Sequence, residues 1–194
     1  TSREPSEDSC QYSTDGAETE YPSTDSEHDF QGGENTTIQQ YTLTQKLGKG
    51  GFGVVWSAKN AAEEVFALKV GRSDGEATRE IEAMQKLDKH PHIIEMIENF
   101  KHDGEAHQVH TVIVLPLYDR DLQKYTRSCE GISVSEVQNV FPKMLSAIQH
   151  IHSKGMTHTD LKPNNIFVAL DDATQKIKDI VIGDFGCASW DGNV

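Results

Sequence analysis

The segment LGKGGFGVV, residues 47–55, most constrains the fold, because its glycines stand between two strand-like runs. The residues before it alternate between polar and apolar side chains, and the β-branched residues after it also predict a strand. A dinucleotide-binding fingerprint would need a helix there, so the pattern favours a hairpin closed by Gly48, Gly50 and Gly53. Glycines leave backbone N–H groups open to a phosphate, although a plain hairpin turn also fits this motif.

Residues 1–40 differ in composition from the rest of the chain. They hold ten Asp or Glu residues and one Arg, so they contribute −9 of the formal net charge of −13 over 194 residues. They contain few large apolar side chains and cannot bury enough surface to offset the entropy of ordering. We therefore predict a disordered acidic tail over residues 1–40 and a folded part that begins at Tyr41.

Charge and apolar patterning limit the partners and the compartment. The excess of acids argues against nucleic acid or an anionic membrane surface as the main partner. No apolar run approaches the roughly 18 residues that a membrane span requires, and the first residues lack a secretory pattern. Cys10, Cys129 and Cys187 are scattered, which favours a reducing intracellular compartment, cytoplasmic or nuclear, over a disulfide framework. The start at Thr1 and the ending WDGNV suggest that the chain is a fragment.

Hydrophobic periodicity predicts a sheet with one helix in the first half of the folded part. Residues 41–118 contain three strand-like runs, then a helix that a capping box of Ser73 and Glu76 begins. Two further strands are predicted in HPHIIEMIENF and HQVHTVIVLPL, with a polar turn between them.

The second half, residues 119–194, changes to a helical pattern. A short helix opened by Asp121 is followed by a long amphipathic helix, which a capping box of Ser133 and Glu136 begins and Gly155 ends. Two short strands, in IFVAL and KDIVIGDFG, are predicted after it.

Two charged side chains stand in or directly after apolar strands. Lys69 in FALKV needs an anionic partner if it is buried, and Glu80 or a nucleotide phosphate are the candidates. Asp184 in IGDFG follows an apolar strand and precedes a glycine, a position suited to holding Mg²⁺ through carboxylate oxygens. Each has a plain alternative: a lysine that reaches water from an edge strand, and an ordinary turn acid.

The decapeptide HTDLKPNNIF, residues 158–167, places three polar side chains within six positions. Asp160 could accept a hydroxyl proton, Lys162 could stabilise charge on a transferring group, and Asn165 could hold a metal ion. An acceptor, a cation and an oxygen donor at this spacing are what a group-transfer site requires.

In order and spacing, these motifs resemble the eukaryotic protein kinase family. The resemblance covers Tyr41 to the end of the chain, and LKP after Asp160 is similar to the serine/threonine type. It implies an α+β, protein-kinase-like fold. Residues 41–118 would form the N-lobe and hinge, with a five-stranded antiparallel sheet and one main helix, and residues 119–194 would begin a helical C-lobe. The implied activity is transfer of the γ-phosphoryl group of ATP to Ser or Thr hydroxyls of protein substrates.

The resemblance also implies roles for individual residues. Lys69 would contact the α- and β-phosphates and pair with Glu80. Asp160 would orient the substrate hydroxyl and accept its proton, while Lys162 would lie near the γ-phosphate.

ATP with Mg²⁺ is the cofactor that the resemblance implies. Asn165 and Asp184 would hold the metal, and the segment VLPLY, residues 114–118, would be the hinge beside the adenine. The residues that would contact the nucleotide are Gly48, Gly50, Phe52, Gly53, Val55, Ala67, Lys69, Leu115, Leu117 and Phe167.

Departures from the family pattern carry predictions of their own. Thr159 stands where the family usually has arginine, so we expect activity that does not depend on phosphorylation of the activation loop. The stretch between Lys69 and Glu80 is shorter than typical, and the link ALDDATQKIKDIVIG is longer. Cys187 could be a reactive thiol, but a buried, unreactive cysteine is the favoured interpretation.

The ending at WDGNV leaves little chain to cover the long helix. We therefore expect the helix at residues 134–152 to expose an apolar face. The alternative to an enzyme is a pseudokinase or a truncated nucleotide-binding interaction module without turnover.

Overall fold

The computed structural model describes residues 30–50, 53–72, 75–104, 108–129 and 131–190. One antiparallel sheet and one helix form the first half, and two helices with two small sheets form the second, in agreement with the predicted α+β fold. The elements are β1 (Thr37–Ile38), β2 (Tyr41–Gly50), β3 (Gly53–Lys59), β4 (Val65–Arg72), α1 (Gly75–Lys86), β5 (Glu98–Asp103), β6 (Val109–Pro116), β7 (Arg120–Asp121), α2 (Leu122–Ser128), α3 (Val134–Ser153), β8 (Met156–Thr157), a 3-10 turn (Pro163–Asn165), β9 (Ile166–Leu170), β10 (Ile177–Ile182) and β11 (Ser189–Trp190).

The main sheet has six strands in the order β1-β2-β3-β4-β6-β5, one more than the five predicted. In the additional strand, β1, Ile38 pairs with Tyr41, and both side chains are buried in an apolar cluster on one face of the sheet. The predicted disordered tail, residues 1–40, is therefore wrong at its C-terminal end. A short apolar segment packs there although its surroundings are polar; residues 1–29 lie outside the described part of the chain.

Helix α1 lies against the other face of the sheet. Ala83, Met84 and the following Leu87 are buried and share the largest apolar cluster with Ile113 and Leu115 of β6. This packing turns one side of the helix toward the sheet. The predicted cap residue of this helix, Ser73, lies outside the described residues, so that cap stays a prediction.

The segment after α1 differs from its prediction. The run HPHIIEMIENF was expected to be one strand, but β5 begins only at Glu98. Ile93 and Ile94 instead enter the main apolar cluster, and Ile94 donates a backbone hydrogen bond to Ile182 in the second half. The strand prediction failed because an apolar run that crosses between two halves of a core has the same sequence signature as a buried strand.

Side-chain caps begin both helices of the second half, as predicted. Asp121 accepts a hydrogen bond from the backbone N–H of Lys124 and opens α2. At the start of α3, Ser133 and Glu136 form the complete reciprocal capping box. Glu136 also accepts hydrogen bonds from the Tyr125 hydroxyl and from the backbone of Ile177, so this cap joins α2, α3 and β10.

The predicted apolar face of α3 is exposed, which confirms that expectation. Val134 and Phe141 have 75% and 55% of their surface accessible, and Val137 and Leu145 are also exposed. The opposite face, with Ala147 and Ile151, is buried. Among the described residues, no helix is long and apolar enough to cross a membrane.

Candidate active site

Lys69 joins the two halves of the molecule through two acidic partners. Its Nζ lies 2.7 Å from Glu80 Oε2 of α1 and 2.8 Å from Asp184 Oδ1, which follows β10. The side chain of Glu80 is 3% exposed and that of Lys69 is 13% exposed, so this is a buried charge cluster. The predicted pairing of Lys69 with Glu80 is confirmed in position. The alternative of a lysine that reaches water is wrong, because β4 is an inner strand.

The charges in this cluster shift the pKa of its members. Burial works against the charge on Lys69, but the attraction of Glu80 and Asp184 outweighs it and raises the pKa of Lys69. Burial raises the pKa of Glu80, and the neighbouring Lys69 opposes that shift. Lys69 is therefore a cation at neutral pH, and it remains close enough to Asp184 to share a ligand with it.

Asp184 is held in an unusual backbone conformation. Its φ of 64° lies in the left-handed region, which few residues other than glycine adopt. On either side the chain is fixed: Gly183 donates its N–H to Asn165 O at 2.9 Å, and Phe185 is fully buried in the main apolar cluster. The Asp184 carboxylate is 23% exposed and contacts Lys69 from a backbone that is held on both sides by these contacts.

The decapeptide forms a second polar group beside Asp184. Lys162 Nζ lies 2.7 Å from Asp160 Oδ2, and Asn165 Nδ2 donates to Asp160 O at 2.8 Å and to its Oδ2 at 3.1 Å. The hydrogen bond from Lys162 lowers the pKa of Asp160, and the same contact raises the pKa of Lys162. Because the main chain of Asn165 bonds to Gly183, which directly precedes Asp184, the two polar groups lie on adjacent segments.

The glycine turn joins β2 to β3 as a hairpin, with Gly50 paired to Gly53. Gly53 is required by the fold: its φ is 132°, and a Cβ there would lie 2.2 Å from Val70 O. A Cβ at Gly48 would meet nothing within 4 Å. The fold alone therefore explains Gly53 but gives no steric reason for a glycine at position 48. Phe52 lies outside the described residues, and Gly50 is described through its backbone pairing alone.

The apolar residues expected around an adenine ring mostly come together. Ala67 and Leu115 are paired neighbours on β4 and β6, and they share the main apolar cluster with Val55 and Phe167. Leu117 differs, because it follows the end of β6 and is 39% exposed. Four of these five predicted side chains thus belong to one surface, which extends from the sheet to β9.

The donor set fits a hard divalent cation such as Mg²⁺. Asn165 uses its amide N–H on Asp160, which leaves the amide oxygen as an acceptor, and Lys69 contacts Asp184 through Oδ1, so the carboxylate has a second oxygen to offer. Two protein oxygens, completed by water and phosphate, match how Mg²⁺ is commonly held. The described residues contain no group of three or more His, Cys, Asp or Glu side chains that could hold a metal on its own.

Cys187 is exposed, which corrects the expectation that it is buried. Its pKa is raised, first by partial desolvation and then by the nearby Asp160 and Asp184 carboxylates. A raised pKa leaves little thiolate at neutral pH, so exposure here does not bring reactivity.

Several contacts at the site were not found from the sequence. His158 Nε2 lies 3.0 Å from Gly183 O, and its ring packs on Phe185. The Thr159 hydroxyl donates to Cys187 O, and Lys86 of α1 lies over the ring of Trp190. These contacts join positions up to about a hundred residues apart, and no periodicity or short motif marks them.

A cavity of about 510 Å³ is separate from these polar groups. It is lined by Met84, His90, Met96, Pro116 and Tyr118 among others. None of the charged residues of the candidate active site lines it.

Comparison with known proteins assigns the family. The family model described as "Protein kinase domain" matches residues 41–191. The chain therefore belongs to the protein kinase family.

The curated relatives include serine/threonine kinases. The chain is 30% identical over 164 residues to "Probable serine/threonine-protein kinase zyg-1" of Caenorhabditis elegans, with 81% of this chain and 22% of that protein covered. It is 31% identical over 159 residues to "Serine/threonine-protein kinase RAD53" of Saccharomyces cerevisiae, with 78% and 18% covered. The chain thus spans about a fifth of the length of these relatives.

Proposed function

We propose that this chain carries the ATP site and catalytic residues of a serine/threonine protein kinase. The observation that supports this most strongly is the position of Lys69, which contacts both Glu80 and Asp184, while Gly183 beside Asp184 bonds to Asn165, which in turn bonds to Asp160. An ammonium, two potential metal ligands and a potential base thus lie on adjoining segments. This set is suited to phosphoryl transfer, where positioning and charge stabilisation supply most of the catalysis.

In the proposed mechanism each charged residue has one task. Lys69, fixed by Glu80, binds the α- and β-phosphates. Asn165 and Asp184 hold Mg²⁺, which supplies charge neutralisation on the phosphates when bound. Lys162 leaves Asp160 and binds the γ-phosphate, since both side chains are exposed enough to exchange partners.

Asp160 orients the hydroxyl of the protein substrate. A carboxylate is a weak base toward a hydroxyl, so Asp160 accepts the proton late, as the hydroxyl oxygen bonds to phosphorus. The order of events suits a loose transition state, in which nucleophile activation contributes little before the bond to the leaving group weakens.

The sequence features support the finer points of this proposal. LKP after Asp160 favours Ser and Thr substrates, and the acidic composition disfavours nucleic acid or an anionic membrane as a partner. Cys129 and Cys187 are both free thiols, which fits an intracellular compartment.

Nucleotide binding is the first test of the proposal. Mg·ATP should raise the melting temperature of the chain, and Lys69→Met and Asp184→Asn should each abolish that increase. Lys59→Met is the matched control, because Lys59 is a β3 lysine with an exposed ion pair to Glu63. Absence of stabilisation in the unsubstituted chain would refute a nucleotide site.

Phosphoryl transfer separates the enzyme from the alternative, a pseudokinase or interaction module. With labelled ATP and a mixture of Ser- and Thr-containing peptides, the chain should transfer phosphate, and Asp160→Asn should keep Mg·ATP binding while losing transfer. Binding without transfer in the unsubstituted chain would favour the alternative.

A further inference from the structure

Thr159, directly before Asp160, adopts a strained conformation. Its φ is 60°, and Asp160 N donates to His158 O at 2.9 Å across it. A hydrogen bond between residues two apart around a positive φ defines the rare, strained form of the γ-turn. A β-branched residue is among the least suited to positive φ, so surrounding contacts must hold it there.

The contact that holds Thr159 is its own side chain. The Thr159 hydroxyl donates to Cys187 O at 2.5 Å. Cys187 follows Asp184 by three residues and precedes β11, which pairs with β8 through Ser189 and Thr157. The Thr159 hydroxyl thus adds one hydrogen bond next to the β8–β11 pair, from a side chain to a backbone carbonyl.

The Thr159–Cys187 hydrogen bond is connected through the backbone to both Asp160 and Asp184. On one side, the γ-turn at Thr159 fixes the backbone N–H of Asp160. On the other, Cys187 O is joined to Asp184 by Phe185 and Gly186, and Ala188 N donates to Phe185 O across this short turn. A change at the Thr159–Cys187 bond therefore reaches the proposed base, Asp160, and the proposed metal ligand, Asp184, together.

We infer that Thr159 is a positioning residue whose hydroxyl, through Cys187 O, holds Asp184 in place for the metal-bound nucleotide. This inference rests on the proposed function, because it concerns the same site. The decapeptide and the segment that follows Asp184 are coupled by one hydrogen bond, from the uncharged Thr159 hydroxyl to the backbone carbonyl of Cys187. No phosphate is needed for this contact, in keeping with the prediction made for Thr159 from the sequence.

The test compares Thr159→Val with Thr159→Ser. Valine keeps the β-branch and its backbone preference but removes the hydroxyl, whereas serine keeps the hydroxyl. Thr44→Val is the matched control, because the Thr44 hydroxyl also donates to a backbone carbonyl, Ser57 O at 3.0 Å, away from the site. All variants are made in the full chain.

The first readout needs no ligand. In metal-free protein, amide hydrogen exchange of peptides covering residues 183–190 should be faster in Thr159→Val and unchanged in Thr159→Ser and Thr44→Val. Peptides covering residues 166–170 of β9 should exchange alike in all four proteins, because that strand keeps its own ladder.

The second readout is nucleotide affinity as a function of Mg²⁺ concentration. Loss of one net hydrogen bond should weaken Mg·ATP binding by about 3- to 10-fold in Thr159→Val. ATP binding without Mg²⁺ should change by less than about 2-fold, because the hydroxyl acts on the metal ligand Asp184 rather than on the nucleotide. Thr159→Ser should restore the Mg²⁺ dependence of the unsubstituted chain.

Two outcomes overturn the inference. If Thr159→Val matches the unsubstituted chain in exchange and in Mg²⁺ dependence, Thr159 does not position Asp184. If it lowers melting temperature alone, with both readouts unchanged, its role is only structural. Failure of the unsubstituted chain to bind Mg·ATP would instead refute the proposed function, and this inference with it.

Discussion

Two ion pairs of the candidate site have the same length, but one is buried and the other is exposed to solvent. Lys69 to Glu80 and Lys162 to Asp160 each measure 2.7 Å between nitrogen and oxygen. The side chains of the first pair are 13% and 3% exposed, and those of the second are 50% and 32% exposed. The buried pair fixes geometry because breaking it leaves a charge without water, whereas the exposed pair can exchange partners at little cost.

This difference suits the two pairs to different parts of the proposed reaction. The pair in the first half aligns a cation with Asp184 before any ligand arrives. The pair in the second half holds Asp160 and Lys162 together until a substrate hydroxyl and a γ-phosphate separate them. The following experiments change the exposed pair, the buried pair or the residues beside them, and each measures the effect on stability or activity.

The largest effect is expected at Asp160. Asp160→Asn should lower the rate of phosphoryl transfer by about 10²- to 10⁴-fold, the usual contribution of a positioned general base. The free energy of unfolding should change by less than about 1 kcal/mol, because the pair with Lys162 is exposed. Steady-state kinetics and urea unfolding measure the two quantities.

Asp88→Asn is the control for this variant. Asp88 forms an exposed ion pair with Lys154 at 2.6 Å, distant in sequence from the proposed site. It should leave the transfer rate unchanged. An equal loss of rate in both variants would mean that Asp160 acts only through general electrostatics.

Glu80→Gln tests the buried side of the comparison. Removing one partner of a buried pair costs 3–5 kcal/mol in typical cases, and we expect about 3 kcal/mol here because Lys69 keeps Asp184. Urea unfolding gives the loss of stability, and a thermal shift with Mg·ATP gives the weakened nucleotide response. Glu82→Gln, an exposed glutamate of the same helix, should change neither quantity. Equal stability of the two variants would show that burial does not strengthen the Lys69–Glu80 pair.

Gly53 and Gly48 of the hairpin are expected to differ in role, the first serving the fold and the second serving nucleotide binding. Gly53→Ala should lower the free energy of unfolding by about 1–3 kcal/mol, because it combines positive φ with a clash against Val70 O. Gly48→Ala should change stability by less than about 0.5 kcal/mol, since its Cβ would meet nothing. It should still weaken Mg·ATP binding, and isothermal titration measures that loss. Similar destabilisation by both substitutions would contradict the distinct roles.

The smallest effect is expected on the free energy of unfolding at acidic pH. Because the pKa of Asp160 is lowered in the folded state, its pair with Lys162 stabilises the protein fully above the ordinary carboxyl pKa of about 4. That contribution is lost as pH falls below about 4 and through the lower folded value, and it should stay under about 1 kcal/mol. The measurement is the difference in unfolding free energy between the unsubstituted chain and Lys162→Met. A difference that grows on acidification would have the wrong sign.

Much of the local structure was predictable from the sequence. The glycine hairpin, the caps at Asp121 and Ser133 and the exposed face of α3 all follow from short-range patterns. Such patterns are readable because caps, turns and amphipathic faces involve residues within about four positions of one another.

Other features depended on contacts that no local pattern contains. Ile38 lies in a polar stretch and yet is buried, since the sheet offers it an apolar face. Ile93 and Ile94 join two halves of the core rather than a strand, and Cys187 is exposed beside two carboxylates. The positive φ of Thr159 is likewise accompanied by a long-range contact, the hydrogen bond from its hydroxyl to Cys187 O.

The sequence by itself determined the family, the order of the main helices and strands and the residue types available for phosphate, metal and hydroxyl chemistry. The tertiary structure decided which charges are buried, which are free to exchange, and that Thr159 faces the segment after Asp184. The physical reason is that side-chain chemistry and backbone preference belong to each residue and its neighbours in the chain. Burial and long-range hydrogen bonds exist only once distant segments pack together.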